Sequence, residues 1–189
     1  MTDLVDRISG AHLKYTPMEV DTAYCQMAMW ITDLVIRSER PTMLVGPMQG
    51  ALLAVSEMVR RVQAPVCYRL VKVSLYDAKN QAGENATFDF WPISEFELGR
   101  YDFIVVDDVA ESLRTFEAMK ERLAVREANV LLTTLINKPT KKRSPDLRPD
   151  FSTLMANEDE WLIGEGMNSG DSFEGEACRS VRGVWVKDN

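Results

Sequence analysis

The chain has 189 residues, 46% of them apolar, with a formal net charge of −7 and an isoelectric point near 4.9. This length and apolar content predict one domain over residues 1–189 with a sizeable core. The acidic balance lacks the positive field that nucleic acid or an anionic membrane surface requires, so we expect neither as a partner. Because the sequence has no apolar run of about eighteen residues and no basic-then-apolar leader, we expect a cytoplasmic protein.

The cysteines and the single histidine do not suggest a metal site. Cys25, Cys67 and Cys178 are odd in number and far apart, which argues against a disulfide framework or a zinc site and favours a reducing compartment. We expect these cysteines to be packing residues. His12 has no second histidine or carboxylate at ligand spacing, which favours an exposed residue over a ligand or a base.

The first elements in chain order are a covering helix and a strand–turn–helix unit. Thr16 to Glu19 form a capping-box pattern with proline at the first helical position, so a helix should begin there. Thr42–Val45 predicts a short strand, which the turn from Gly46 to Gly50 breaks before a second helical face. The turn is either a phosphate-binding loop or an ordinary strand-to-helix connection, and it is not a Walker loop.

Further strands alternate with polar segments. Strands are predicted over Val66–Leu75, Asn129–Ile136 and Val181–Val186. The polar segment 78–87 is either a lid over a site or a surface hairpin. The segment 140–150, with its prolines and its lysine and arginine residues, predicts an exposed crossing loop.

The segment from Phe103 to Leu123 carries the densest set of functional groups. Phe103–Val106 predicts a buried strand that ends at Asp107 and Asp108, and an amphipathic helical stripe reaches Leu123. Between them stand Glu111, Ser112, Arg114 and Thr115. Either the acids merely terminate a strand and Ser112 caps a helix, or the loop binds phosphate while the carboxylates hold Mg²⁺ or a sugar diol.

The run VVDDVAESLRT resembles the phosphoribosyl-pyrophosphate (PRPP) motif of type I phosphoribosyltransferases. It departs at Glu111, where the family usually has Asp, and at Leu113, where the family usually has Gly. The resemblance implies that Asp107 and Asp108 face the ribose and a metal ion and that Glu111 is the catalytic acid or base. Ser112, Leu113, Arg114 and Thr115 would bind the 5′-phosphate. Because Leu resists positive φ, we expect a loop that bends differently from the family's.

Other segments extend the resemblance from about Thr42 to Val186. Met48-Gln49-Gly50 resembles the pyrophosphate loop, which often carries a cis peptide. The stretch LINKP is similar to a hypoxanthine and guanine phosphoribosyltransferase segment whose lysine contacts a 6-oxopurine. The implied roles are pyrophosphate binding by Gln49, Gly50 and Arg179, base binding by Lys138, Trp161 and Leu162, and metal binding by Asn168 with the Asp pair.

Two of these residues have ordinary alternatives. Without the resemblance, Lys138 reads as a solvated charge at a strand end. Trp161 is either a base-stacking residue or a core aromatic at the start of a strand. Asn168 stands where the family has Asp, which keeps an oxygen ligand but removes a charge.

The alternation of strands and helices predicts a mostly parallel, twisted α/β sheet with helices on both faces. Its core spans about residues 42–136, and the N-terminal leader and C-terminal region form a small hood. The resemblance implies Mg²⁺-dependent transfer of a phosphoribosyl group from PRPP to a purine base, hypoxanthine or guanine, by a homodimer or homotetramer. The alternative is a catalytically weak regulatory protein that senses PRPP or nucleotides, a possibility that Leu113 and Asn168 raise.

Overall fold

The computed structural model describes residues 10–76, 82–89, 99–124, 127–170 and 172–187. The strands are β1 (Ala11–Tyr15), β2 (Thr42–Met48), β3 (Cys67–Tyr76), β4 (Ala82–Asp89), β5 (Asp102–Ala110), β6 (Val130–Asn137), β7 (Phe151–Met155), β8 (Trp161–Ile163) and β9 (Val184–Lys187). The α-helices are α1 (Pro17–Arg37), α2 (Leu52–Arg61), α3 (Arg114–Leu123) and α4 (Phe173–Ala177), and a 3₁₀ turn covers Cys178–Ser180.

The central sheet has the strand order β4-β3-β2-β5-β6-β7. All its neighbours pair in parallel except β3 and β4, which are antiparallel. From β2 the chain steps to β3 on one side, whereas from β5 it steps to β6 and β7 on the other. The carboxyl ends of β2 and β5 therefore flank the point where the direction of winding changes, which is where open α/β sheets bind ligands.

Helices cover both faces of this sheet, as predicted. Helices α1 and α2 bury Met27, Ile31 and Met58 in a core cluster on one face. On the other face, α3 buries Met119 and Leu123 in a second cluster. The predicted start of α1 is also confirmed, because the Thr16 and Glu19 side chains each accept a hydrogen bond from the other residue's backbone N–H.

A separate three-stranded antiparallel sheet has the order β1-β9-β8. It joins the beginning of the described chain to its end, since Ala11 pairs with Lys187. Trp161 pairs with the same Lys187 from the other side. This small sheet is the predicted hood.

Two strands run farther than the sequence predicted. Strand β2 continues through Gly46 and Pro47 to Met48, and β5 continues through the acidic pair to Ala110. The reason is pairing with neighbouring strands, since Met48 aligns with Lys72 and Ala110 aligns with Asn137. The prediction that Asp107 and Asp108 end the strand was therefore wrong.

The polar segment 78–87 contains part of β4, which forms an antiparallel hairpin with β3, and residues 77–81 lie outside the described residues. The prediction that all the cysteines pack inside was wrong for two, because Cys25 and Cys67 are exposed and only Cys178 is buried. His12 is exposed, as predicted. Among the described residues, no helix is both long and apolar enough to cross a membrane.

Candidate active site

The loop after β2 meets the acidic pair of β5 at the switch point of the sheet. A Cβ added to Gly50 would lie 2.4 Å from Asp108 Oδ2, so the bare backbone of Gly50 is pressed against this carboxylate. The peptide bond between Met48 and Gln49 is cis, as the family resemblance implied, and Gln49 is exposed. The predicted pyrophosphate loop thus packs directly against Asp108 of the predicted acidic pair.

The two adjacent carboxylates are held in a poorly solvated position. Asp108 is buried, and its Oδ1 accepts a hydrogen bond of 2.7 Å from the backbone N–H of Val109. Asp107 Oδ1 accepts one of 3.0 Å from the backbone N–H of Asp108. Burial raises the pKa of both carboxyls, and for Asp107 the neighbouring Asp108 charge raises the pKa further. Such a pair favours a cation or a sugar hydroxyl as its partner.

The predicted phosphate loop adopts a left-handed residue without glycine. Leu113 has φ of 62°, and its side chain is buried in the same cluster as Phe116. The loop therefore bends at Leu113 as a glycine would, and the expectation of a different bend was wrong. Burial of the Leu113 side chain offsets the backbone strain.

The start of α3 is open to an anion. Its N-cap is Leu113 and no side chain caps it, so Ser112 is not the helix cap that one interpretation predicted. The first backbone N–H groups of a helix have no partner within the helix, and they favour an anion. Asp107, Glu111, Ser112, Leu113 and Thr115 all line a cavity of about 200 Å³ here, and Arg114 is exposed at the first helical position.

Glu111 and Lys138 form an ion pair across the ends of β5 and β6. Lys138 Nζ lies 2.8 Å from Glu111 Oε1. Lys138 is only 8% exposed, so it is not the solvated charge that one interpretation predicted. About half of the Glu111 side chain is exposed, and the pair presents an acceptor and a donor side by side.

Arg143 holds this pair in place, and sequence reasoning did not identify it. Its guanidinium donates to the carbonyl oxygens of Ala110, Glu111 and Lys138. It also donates to Asn137 Oδ1 at 2.6 Å. Burial lowers the pKa of Arg143, and Glu111 opposes that effect. The segment 140–150 looked like a charged surface loop, and only the fold shows that one of its cations turns inward.

The hood supplies the remaining predicted residues. Trp161 is 52% exposed, so it is not a core aromatic, and its Nε1 donates to the Asn168 carbonyl oxygen at 3.3 Å. Leu162 is buried in the core cluster under α1 and α2, and its predicted contact with the base stays a prediction. The Asn168 side-chain amide donates to Glu176 Oε1 at 2.7 Å.

Arg179 links the hood to the acidic pair. Its guanidinium donates to Glu176 at 2.8 and 3.0 Å and to the Gly166 carbonyl oxygen at 2.6 Å. Its charge lowers the pKa of Asp108, against the larger effect of burial. The Arg179 charge therefore acts on Asp108 of the acidic pair, and the predicted contact of Arg179 with pyrophosphate stays a prediction.

A strand-switch site with an uncapped helix start, an acidic pair and a glycine loop is typical of nucleotide-binding α/β proteins. The family model for the phosphoribosyl transferase domain matches residues 25–169. The chain belongs to this family.

Individual relatives agree with this assignment. The chain is 25% identical over 153 residues to the hypoxanthine phosphoribosyltransferase of Salmonella typhimurium, covering 79% of this chain and 83% of the relative. It is 24% identical over 131 residues to the hypoxanthine-guanine phosphoribosyltransferase of Lactococcus lactis, covering 69% of each. A crystal structure of a hypoxanthine phosphoribosyltransferase from Staphylococcus aureus superposes with a TM-score of 0.80, at 16% identity, over 97% of this chain and 95% of that one.

Proposed function

We propose that the protein transfers a phosphoribosyl group from PRPP to a 6-oxopurine, hypoxanthine or guanine, and releases pyrophosphate. The observation that carries this proposal is the Glu111–Lys138 pair, with its acceptor and donor 2.8 Å apart. The free 6-oxopurine base presents a ring N7–H donor beside its O6 acceptor, which is the complementary pattern. Adenine has an amino donor in place of O6, so it would face the Lys138 ammonium donor with a second donor.

The proposed PRPP site divides between two loops. The 5′-phosphate is bound at the open start of α3, with hydroxyl donors from Ser112 and Thr115. The pyrophosphate lies over Gln49 and Gly50 and is contacted by Arg179. Trp161, half-exposed at the edge of the hood, stacks on the purine.

The donors at the acidic pair fit Mg²⁺. Carboxylate oxygens of Asp107 and Asp108 are hard ligands, and both groups carry pKa values raised by burial, which a cation would oppose. Among the described residues, no three or more His, Cys, Asp or Glu side chains gather into a metal cluster. This suits an ion held by one or two carboxylates together with substrate phosphates. When bound, Mg²⁺ would supply charge neutralisation for the pyrophosphate leaving group.

The chain's own groups perform the remaining work. The bond between ribose C1′ and the pyrophosphate oxygen breaks while a bond from C1′ to purine N9 forms, and Glu111 accepts the proton that leaves N7. Lys138 donates to O6 and stabilises the negative charge that develops on the purine. Arg143 fixes the backbone of both residues. We further propose, from the family resemblance, a cytoplasmic homodimer or homotetramer.

The test is product formation. The protein is incubated with PRPP, Mg²⁺ and hypoxanthine, guanine, xanthine or adenine in turn, and nucleoside monophosphate is detected by mass. The proposal predicts product with hypoxanthine or guanine, none in EDTA, and at least a tenfold loss in Asp108→Asn. Tight PRPP binding without product from any base would instead support the regulatory protein. That outcome has weaker support in the geometry, since Leu113 keeps the phosphate loop in its left-handed bend.

A further inference from the structure

The turn from Gly164 to Gly166 joins the hood to the pyrophosphate loop. It has three consecutive residues with positive φ, of 91°, 49° and 104°. The middle residue is Glu165, and residues with a Cβ atom rarely adopt this backbone conformation. Contacts on both sides must therefore hold the turn.

The Glu165 side chain makes those contacts from inside the protein. It is 9% exposed, and its Oε1 accepts a hydrogen bond of 2.8 Å from the backbone N–H of Gly183, just before β9. Its Oε2 accepts one of 3.4 Å from the hydroxyl of Tyr24 on α1. Tyr24 is itself 3% exposed. One carboxylate thus ties the turn to the hood strand and to the covering helix.

The next residue carries this anchoring into the site. A Cβ added to Gly166 would lie 2.2 Å from the Gly50 carbonyl oxygen and 3.4 Å from Asp108 Oδ2. Gly50 in turn abuts Asp108. No side chain separates the turn from the pyrophosphate loop, or that loop from Asp108. A displacement of the turn therefore moves the loop.

We propose that Glu165, together with Tyr24, is a positioning residue for pyrophosphate binding, acting through Gly166 on the Gly50 loop. This inference rests on the proposed function. The pKa of Tyr24 is raised first by burial and then by the charges of Glu165 and Asp108, which agrees with the packing of these three residues around the turn.

The contacts predict a selective loss of pyrophosphate binding when the Glu165–Tyr24 hydrogen bond is broken. Pyrophosphate lies over Gly50, whereas a purine monophosphate uses the α3 start and the Glu111–Lys138 pair. Glu165→Ala should therefore weaken magnesium pyrophosphate binding at least tenfold, and Tyr24→Phe about threefold. Binding of guanosine monophosphate should stay within twofold in both variants. Glu165 and Tyr24 line an existing cavity of about 270 Å³, so water can reach the freed Gly183 N–H and the variants should fold.

The experiment is calorimetric titration of wild type, Glu165→Ala and Tyr24→Phe with each of the two ligands, with melting curves as a folding check. The matched controls are Glu121→Ala and Tyr68→Phe, both at exposed positions. If wild type binds neither ligand, the proposed function fails. If wild type binds both and the variants either match it or weaken both ligands equally, the positioning role is overturned. If Glu165→Ala does not fold, the Tyr24→Phe result decides alone.

Discussion

Leu113 shows how one residue can satisfy a backbone requirement that glycine usually meets. Its φ of 62° disfavours any side chain, but the Leu113 side chain fills the core beside Phe116. Sequence reasoning recognised the strain and missed the compensation. The reason is that a loop residue's burial depends on which strands lie beneath it, and the fold alone determines that.

At position 113 we expect the glycine variant to be more stable than the alanine variant, which is the reverse of the usual order. Leu113→Ala keeps the backbone strain and loses the buried side chain, which costs about 2–5 kcal/mol of unfolding free energy. Leu113→Gly loses the same burial but also relieves backbone strain of about 1–2 kcal/mol. The glycine variant should therefore be the more stable of the two by about 1 kcal/mol in urea unfolding. The control is Met119, buried in the interior of α3, where alanine should be more stable than glycine by a similar amount. The same order at both positions would contradict this account.

The carboxyl of Asp107 should cost stability in the metal-free protein. Its pKa is raised above the ordinary value of 3.8, first by burial and then by the Asp108 charge. The folded state therefore keeps the Asp107 carboxyl protonated to higher pH than the unfolded chain does. Stability is therefore lost as pH rises from about 3.8 through the raised pKa. Asp107→Asn removes this loss, and its urea midpoint in EDTA should exceed that of wild type at pH 7 and converge with it toward pH 4. Asp146→Asn, at an exposed position, is the control, and a wild type that is the more stable at pH 7 would refute the prediction.

At the scale of elements, the pattern of apolar residues located the strands but not their ends. Gly46 and Pro47 look like breakers in the sequence, and Asp107 and Asp108 look like a strand end. The neighbouring strands β3 and β6 nevertheless keep pairing with these residues. Pairing partners lie far away along the chain, so local propensity could not extend either strand. The start of α1 was predictable because its capping box lies within a single turn.

The close packing of the Gly164–Gly166 turn on the pyrophosphate loop predicts a position-specific effect of a single methyl group. Gly166 and Gly170 both have positive φ, of 104° and 124°, so alanine strains the backbone at either position. Only at Gly166 would the added Cβ meet the Gly50 carbonyl, since nothing lies within 4 Å at Gly170. Gly166→Ala should raise the KM for PRPP at least tenfold, and Gly170→Ala should change it less than twofold. Equal effects in steady-state kinetics would show that backbone strain, and not the contact, controls the loop.

At the scale of the whole molecule, the sheet order explains why distant segments form one site. Because β2 and β5 are adjacent and lead to opposite halves of the sheet, Gly50 and Asp108 meet, although the sequence separates them widely. The family resemblance predicted most of the residues that line this edge. It assigned no role to Arg143 or Glu165, since each makes its contacts with backbone groups of distant segments, which only the fold brings together.

The claim that the paired charges recognise a 6-oxopurine is tested most directly by base discrimination. We would measure kcat/KM for hypoxanthine and for adenine with wild type, Lys138→Ala and the exposed control Lys141→Ala. Loss of one charge-assisted hydrogen bond, about 1.5–3 kcal/mol, should lower the wild-type preference for hypoxanthine roughly 10- to 150-fold in Lys138→Ala and leave it unchanged in the control. An unchanged preference in Lys138→Ala would contradict the proposed recognition of the base.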